Sequence, residues 1–89
     1  MKIVRYRWLI SYGTIQEEEF DVEEKEKSYI GTYNYGGVCR FLKSSDDKAK
    51  IKDRTTYPYI DFFSTKDSSK EYAIGKIIDF LVNHWGLDY

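Results

Sequence analysis

A small α+β fold is predicted for this 89-residue chain: a mostly antiparallel sheet of four to five strands with one C-terminal amphipathic helix packed across it. Three features carry that prediction. Residues 2–12, KIVRYRWLISY, alternate with period two. Residues 16–24 alternate again, with Phe20 and Val22 on one side and acids on the other. From residue 68 onward, Ile74, Ile77, Ile78, Leu81 and Trp85 recur at helical spacing. Period two marks a strand with one buried face, and a period near 3.6 marks an amphipathic helix. The length suits one domain, residues 1–89, which must use its core efficiently. Aromatic residues make up 18% of the chain, and each can bury roughly 150–250 Å².

The first strand places Val4, Tyr6, Trp8, Ile10 and Tyr12 on one face. Gly13-Thr14 punctuates, and the second strand follows. A two-residue turn would set Trp8 opposite Glu19 and line aromatics against carboxylates. Adding one residue, with Gly13-Thr14-Ile15 as the loop, sets Trp8 against Phe20 and Tyr6 against Val22. Arg7 then meets Asp21 and Arg5 meets Glu23. A one-residue slip flips every side chain, and each cross-strand pair contributes roughly 0.2–1 kcal/mol, so the odd-length turn is expected.

Residues 28–37, SYIGTYNYGG, read as a loop or a short strand flanked by loops. Residues 38–43 read as a third strand and SSDD at 44–47 as a turn. In residues 48–54, Lys48, Lys50, Lys52 and Arg54 alternate along one face of a fourth strand. The aromatic run 57–64 is a further strand, with Pro58 limiting its start or placing it at an edge. Ser68 and Glu71 have capping-box spacing, and Gly86 suits the position just past the helix end. Ile74, Ile77, Ile78, Leu81 and Trp85 form the buried stripe of that helix, each worth roughly 1.5–3 kcal/mol on burial. Glu71, Gly75, Asp79 and Asn83 form its wet side.

Charge is segregated although the net charge is only −1. Residues 1–12 carry three basic residues, 16–27 carry seven acids and two Lys, and 38–54 carry six basic residues against three acids. Such segregation marks complementary strands or a patch for a charged partner. The single Cys39 excludes an internal disulfide. With no long apolar run and no signal-peptide core, a cytoplasmic location without membrane contact is expected. Abundant Lys, Ile and Tyr fit an AT-rich coding sequence.

Catalytic, cofactor and metal sites are not expected. Cys39 and His84 are the chain's one thiol and one imidazole. A thiolate pair needs both in contact, whereas Cys39 reads as strand filler and His84 as a helix-end residue. There is no His/Cys cluster, P-loop or G-x-G-x-x-G. The segment YNYGGVCRF at 33–41 resembles the aromatic- and Gly-interleaved strand of RNA-recognition domains. It departs at Gly37, where that strand carries an aromatic, and at Arg40, which displaces Phe41. The helix those domains carry between their first two strands is also absent from the pattern.

Two partner classes follow. The leading one is a protein partner, or self-association as a homodimer through an edge strand. Its candidate contacts are Tyr29, Tyr33 and Tyr35 in an uncharged Gly-rich window, with Glu17 and Glu19 of the acidic strand second. Tyr buries much area at low entropy cost. The alternative is a nucleic-acid-binding module using Arg40, Lys48, Lys50, Lys52 and Arg54 against phosphates. The low net charge disfavours it. Overall, the order of a basic-aromatic strand, an acidic strand running into VEEKEKSYI and a terminal amphipathic helix resembles short proteins of low-GC bacteria and their phages. The expected role is therefore a small non-enzymatic interaction protein, such as a phage- or mobile-element-encoded modulator or inhibitor.

Overall fold

The computed structural model describes residues 1–33, 35–53 and 56–85, the Trp85 side chain excepted. Its elements are β1 (Lys2–Leu9), β2 (Thr14–Glu24), β3 (Ser28–Thr32), β4 (Val38–Leu42), a single 3₁₀ turn (Lys43–Ser45), β5 (Lys50–Lys52), β6 (Tyr59–Phe63) and α1 (Lys70–Trp85). The fold is α+β, as expected. Its strands number six among the described residues, because Ser28–Thr32 pairs on both sides as a strand of its own. The order across the sheet is β4-β3-β2-β1-β6-β5, every neighbouring pair antiparallel.

The sheet curls. Phe41 of β4 meets Phe63 of β6 edge to face at 5.1 Å, although three strands separate β4 and β6 in the sheet. The Gly31 backbone assists: a Cβ there would stand 3.1 Å from the Phe20 Cβ and 3.2 Å from a Val22 methyl. Inside the curl, Ile3, Phe20, Val22, Tyr29, Phe41 and Phe63 form one core. On the outer face, Tyr6, Ile60 and Phe62 form a second core with Ala73, Ile77 and Leu81 of α1.

Two dry faces explain why the expected hairpin register does not form. In the observed ladder Trp8 faces Ile15, Tyr6 faces Glu17, Arg5 faces Glu18 and Arg7 faces Gln16. The turn occupies residues 10–13, so Thr14 and Ile15 belong to β2 rather than to the loop. Tyr6 therefore does stand opposite a carboxylate, while Trp8 does not. Phe20 and Val22 need no aromatic from the Tyr6–Trp8 face, since they are buried in the inner core beside Ile3. The expected Arg7–Asp21 and Arg5–Glu23 pairs give way to Arg7–Asp61 and Arg5–Glu18.

The helix start also differs by one residue. Ser69, rather than Ser68, is the cap: its Oγ accepts the Tyr72 N–H at 3.3 Å. The Ser68 carbonyl instead accepts the Tyr6 hydroxyl at 2.7 Å, tying β1 to the helix entrance. Pro58 immediately precedes β6 and limits its start, and β6 is an interior strand between β1 and β5. Gly86 lies outside the described residues.

Candidate functional site

Among the described residues, three hollows on the sheet sort the candidate residues. The first is a trough of about 430 Å³ lined by Lys2, Glu17, Glu18, Glu19, Phe20, Asp21 and Tyr33. It brings Glu17, Glu19 and Tyr33 together. Its origin is a length mismatch: β2 has 11 residues, but β3 pairs with only Val22–Glu24. Val22 donates its N–H to the Met1 carbonyl, on the β1 side. Strand alternation then turns the N–H and C=O groups of Glu17 and Glu19 towards the open edge. Carboxylates along such an edge guard it against pairing with other chains. Two β2 edges meeting antiparallel would also set like charges opposite one another, which is destabilising.

The three tyrosines do not form one patch. Tyr29 is a core residue, with the Lys43 ammonium 5.3 Å from its ring centroid. It is not a surface contact in this fold. Tyr33 is half-buried, edge-on to Phe20 at 5.1 Å and stacked on Tyr35 at 4.9 Å. Of the three, only Tyr35 is exposed, at 80%.

The second hollow is a cleft of about 170 Å³ between edge strands β4 and β5. Arg40, Lys48, Lys50 and Lys52 all line it, with Arg5 and Asp61. Arg54 lies outside the described residues. Asp61 is engaged by Arg7, which donates from Nε at 2.7 Å and from a terminal nitrogen at 3.2 Å. Arg5 is buried and donates to Glu18 at 2.9 Å, to the Tyr33 hydroxyl at 3.5 Å and to the Cys39 sulfur at 3.6 Å. Burial disfavours its charge, but hydrogen bonds with Tyr33 and Glu18 and the field of Asp61 hold its pKa above the ordinary value.

The third hollow is apolar. Trp8, Ile15, Ile74, Ile77, Ile78 and Leu81 line a groove of about 250 Å³ between α1 and the β1–β2 ladder. It exists because the buried stripe of α1 is centred on Ala73, Ile77 and Leu81, with exposures of 0%, 3% and 6%. Ile74 and Ile78 were expected in that stripe. They stand instead at 37% and 40% exposure, in a row with Val82 at 37%. The signal was present in the sequence: at 3.6 residues per turn, apolar positions from Phe80 round to Val82 cover about 200°, twice the roughly 100° that faces a core. α1 packs chiefly over β6 and β1, and of β2 it reaches Ile15, which is half-buried at the margin of that core.

One end of this groove is acidic. Glu17 and Glu19 share the outer face of β2 with Ile15. Burial, reinforced by the fields of Glu17, Glu71, Asp67 and Glu19, raises the pKa of the Tyr6 hydroxyl. These four carboxylates therefore converge on the helix entrance, with Lys70 heading the Ile74–Ile78–Val82 row among them.

Cys39 lies on the inner face of the sheet beside Arg5, whereas His84 is on α1, stacked on Phe80 at 5.1 Å across the outer face. The sheet stands between thiol and imidazole. Among the described residues no three His, Cys, Asp or Glu side chains are grouped to hold a metal ion. No described helix is long and apolar enough to cross a membrane. Comparison with known proteins returned no matching family model, no matching curated protein and no matching solved structure.

Proposed function

We propose that this chain is a non-enzymatic protein-binding module whose docking surface is the groove between α1 and the outer face of β1–β2. One observation carries the reading: Ile74, Ile78 and Val82 form an exposed apolar row beside Trp8 and Ile15. Contiguous apolar surface of this kind, rimmed by charge, marks an interaction site. The fitting occupant is an amphipathic helix with a basic end. Its apolar face would replace water along the row, as helix-in-groove recognition does through anchors at i, i+3, i+4 and i+7. Its basic end would meet Glu17, Glu19, Asp67 and Glu71, four carboxylates with Lys70 on the α1 side and Lys2 beside Glu17 and Glu19. Tyr33, Tyr35 and the β2 edge border the same acidic strand from its other side and are secondary in this reading.

The groove is self-limiting for a second copy of this chain. The row that would dock, on α1, has Lys70 alone at its head, next to Glu71, with Asp79 and Asn83 further along. A heterologous partner is therefore favoured over a homodimer. The test is a nuclear magnetic resonance titration with a designed Leu/Lys amphipathic peptide, using a sequence-scrambled peptide of equal charge as control. The amphipathic peptide is expected to shift amides of Ile15, Ile74 and Ile78. Equal shifts with the scrambled peptide would remove the groove from the account.

A further inference from the structure

The cleft between β4 and β5 lies on the opposite face of the sheet from the α1 groove, and its chemistry is the reverse. Arg40, Lys48, Lys50 and Lys52 are exposed, and none makes an ion pair among the described residues. The carboxylate in their lining, Asp61, is already held by Arg7. At the inner end of the cleft, the Arg5 side chain is only 9% exposed, and its Nε has no hydrogen-bond partner. Buried donors are almost always satisfied, so this N–H is left for a water or an anion at the inner end of the cleft.

The layout is linear. Lys50 and Lys52 lie opposite Asp61 and Tyr59 in the β5–β6 ladder, on the inner face. Residues two apart on a strand are about 6.6–6.8 Å apart, a spacing similar to that of successive phosphates in an extended nucleic-acid strand. Lys48, in the turn before β5 with its N–H on the Ser45 carbonyl, lines the same cleft. At the Lys52 end, the exposed rings of Tyr12 and Tyr57 lie 5.8 Å apart and offer faces on which bases can stack. The cleft is about 170 Å³ and bounded by two edge strands, so it admits one backbone and not a duplex.

We infer that this cleft binds single-stranded nucleic acid, with phosphodiester groups on Lys48, Lys50 and Lys52 and bases on the Tyr12–Tyr57 pair. The chain's net charge of −1 makes the inference sharp, since binding cannot arise from overall basicity. The site is separate from the α1 groove, and the two can succeed or fail independently.

The test is fluorescence anisotropy of the intact chain with labelled oligouridylate and oligothymidylate. The competitors are a short duplex of the same length and inorganic phosphate. Either single strand is expected to bind with a Kd in about the 10⁻⁶–10⁻⁴ M range, weakening with salt at a log–log slope of about −2 for three contacts. Lys50→Gln with Lys52→Gln should reduce that slope to about −0.7 and lower affinity at least about tenfold. Both side chains are exposed, so amide spectra of the double variant should match the parent. Tyr57→Ala should weaken binding without changing the slope, separating stacking from charge. The inference is overturned if neither oligonucleotide binds at low salt, or if the double variant binds like the parent. It is equally overturned if the duplex binds as well as the single strand, or if inorganic phosphate displaces the strand phosphate for phosphate.

Discussion

Trp8 lies directly opposite Ile15 in the β1–β2 ladder, and together they floor the apolar groove beside α1. That pairing exists only because the turn spans residues 10–13. Had the hairpin closed around residues 13–15, Trp8 would have met Phe20 and the groove would have no floor on β2.

Substitutions on α1 should separate folding from docking. Ile78→Asp, at a position 40% exposed, should change stability by less than about 1 kcal/mol while abolishing peptide binding. Ile77→Ala, one residue away but 3% exposed, should cost about 2–4 kcal/mol. Urea denaturation of both variants checks the contrast. Equal losses would mean that the stripe of α1 is not centred where the packing puts it.

Glu18 matters chiefly through Arg5. Their side chains are 42% and 9% exposed, so the carboxylate is half in water and the guanidinium is not. Fully buried pairs lose about 3–5 kcal/mol when one partner is removed; a half-exposed partner should give about 1–2. Glu18→Gln is expected in that lower range by chemical denaturation. A neutral result would show that Tyr33 and Cys39 alone satisfy the buried charge.

Asp47 should make stability pH-dependent. Its carboxylate accepts the Tyr72 hydroxyl at 2.6 Å and the Ser64 hydroxyl at 2.9 Å, with Lys76 and Lys66 nearby. The Tyr72 hydrogen bond leads in lowering its pKa, against the opposing effect of desolvation. A carboxylate with a depressed folded pKa stabilises the fold above its unfolded pKa, and that contribution is lost as pH falls through the folded pKa. Asp47→Asn should therefore lower Tm at neutral pH, and the gap from the parent should close in acid. Asn tolerates the left-handed backbone at this position (φ 63°), so the comparison isolates charge. A gap that stays constant with pH would assign the effect to hydrogen bonding alone.

Gly31 should resist a side chain. Gly31→Ala sets a methyl 3.1 Å from the Phe20 Cβ and 3.2 Å from Val22. Overpacking of this kind costs about 1–3 kcal/mol, and a smaller loss in a thermal melt would mean that the curl opens readily.

Much of the chain was legible because its periods are local. β1, the Phe20–Val22 half of β2 and α1 follow from alternation and helical spacing. The register does not follow from alternation alone, because Phe20 and Tyr6 belong to two separate cores. Ile74 and Ile78 do not reach the core because the apolar arc of α1 is wider than the stripe that packs on the sheet. Ser28–Thr32 shows no alternation strong enough to announce a strand; Gly31 is there for the curl, which is a tertiary requirement. Arg40, Lys48, Lys50 and Lys52 were visible as basic residues, but only the approach of β4 to β6 puts them around one cleft. Tyr29 was visible as an aromatic, and nothing local distinguishes it from the exposed Tyr35.

The docking claim is tested most directly by titrating the basic amphipathic peptide into the isotope-labelled chain and its Ile78→Asp and Glu17→Lys, Glu19→Lys variants. The account predicts saturable amide shifts confined to Ile15, Glu17 and the Ile74–Ile78–Val82 row. Ile78→Asp should abolish them, and charge reversal should weaken them with a salt dependence that the parent shows and the variant lacks. Shifts centred on Tyr35 or on Lys50 and Lys52, or full binding by the Ile78→Asp variant, would contradict it.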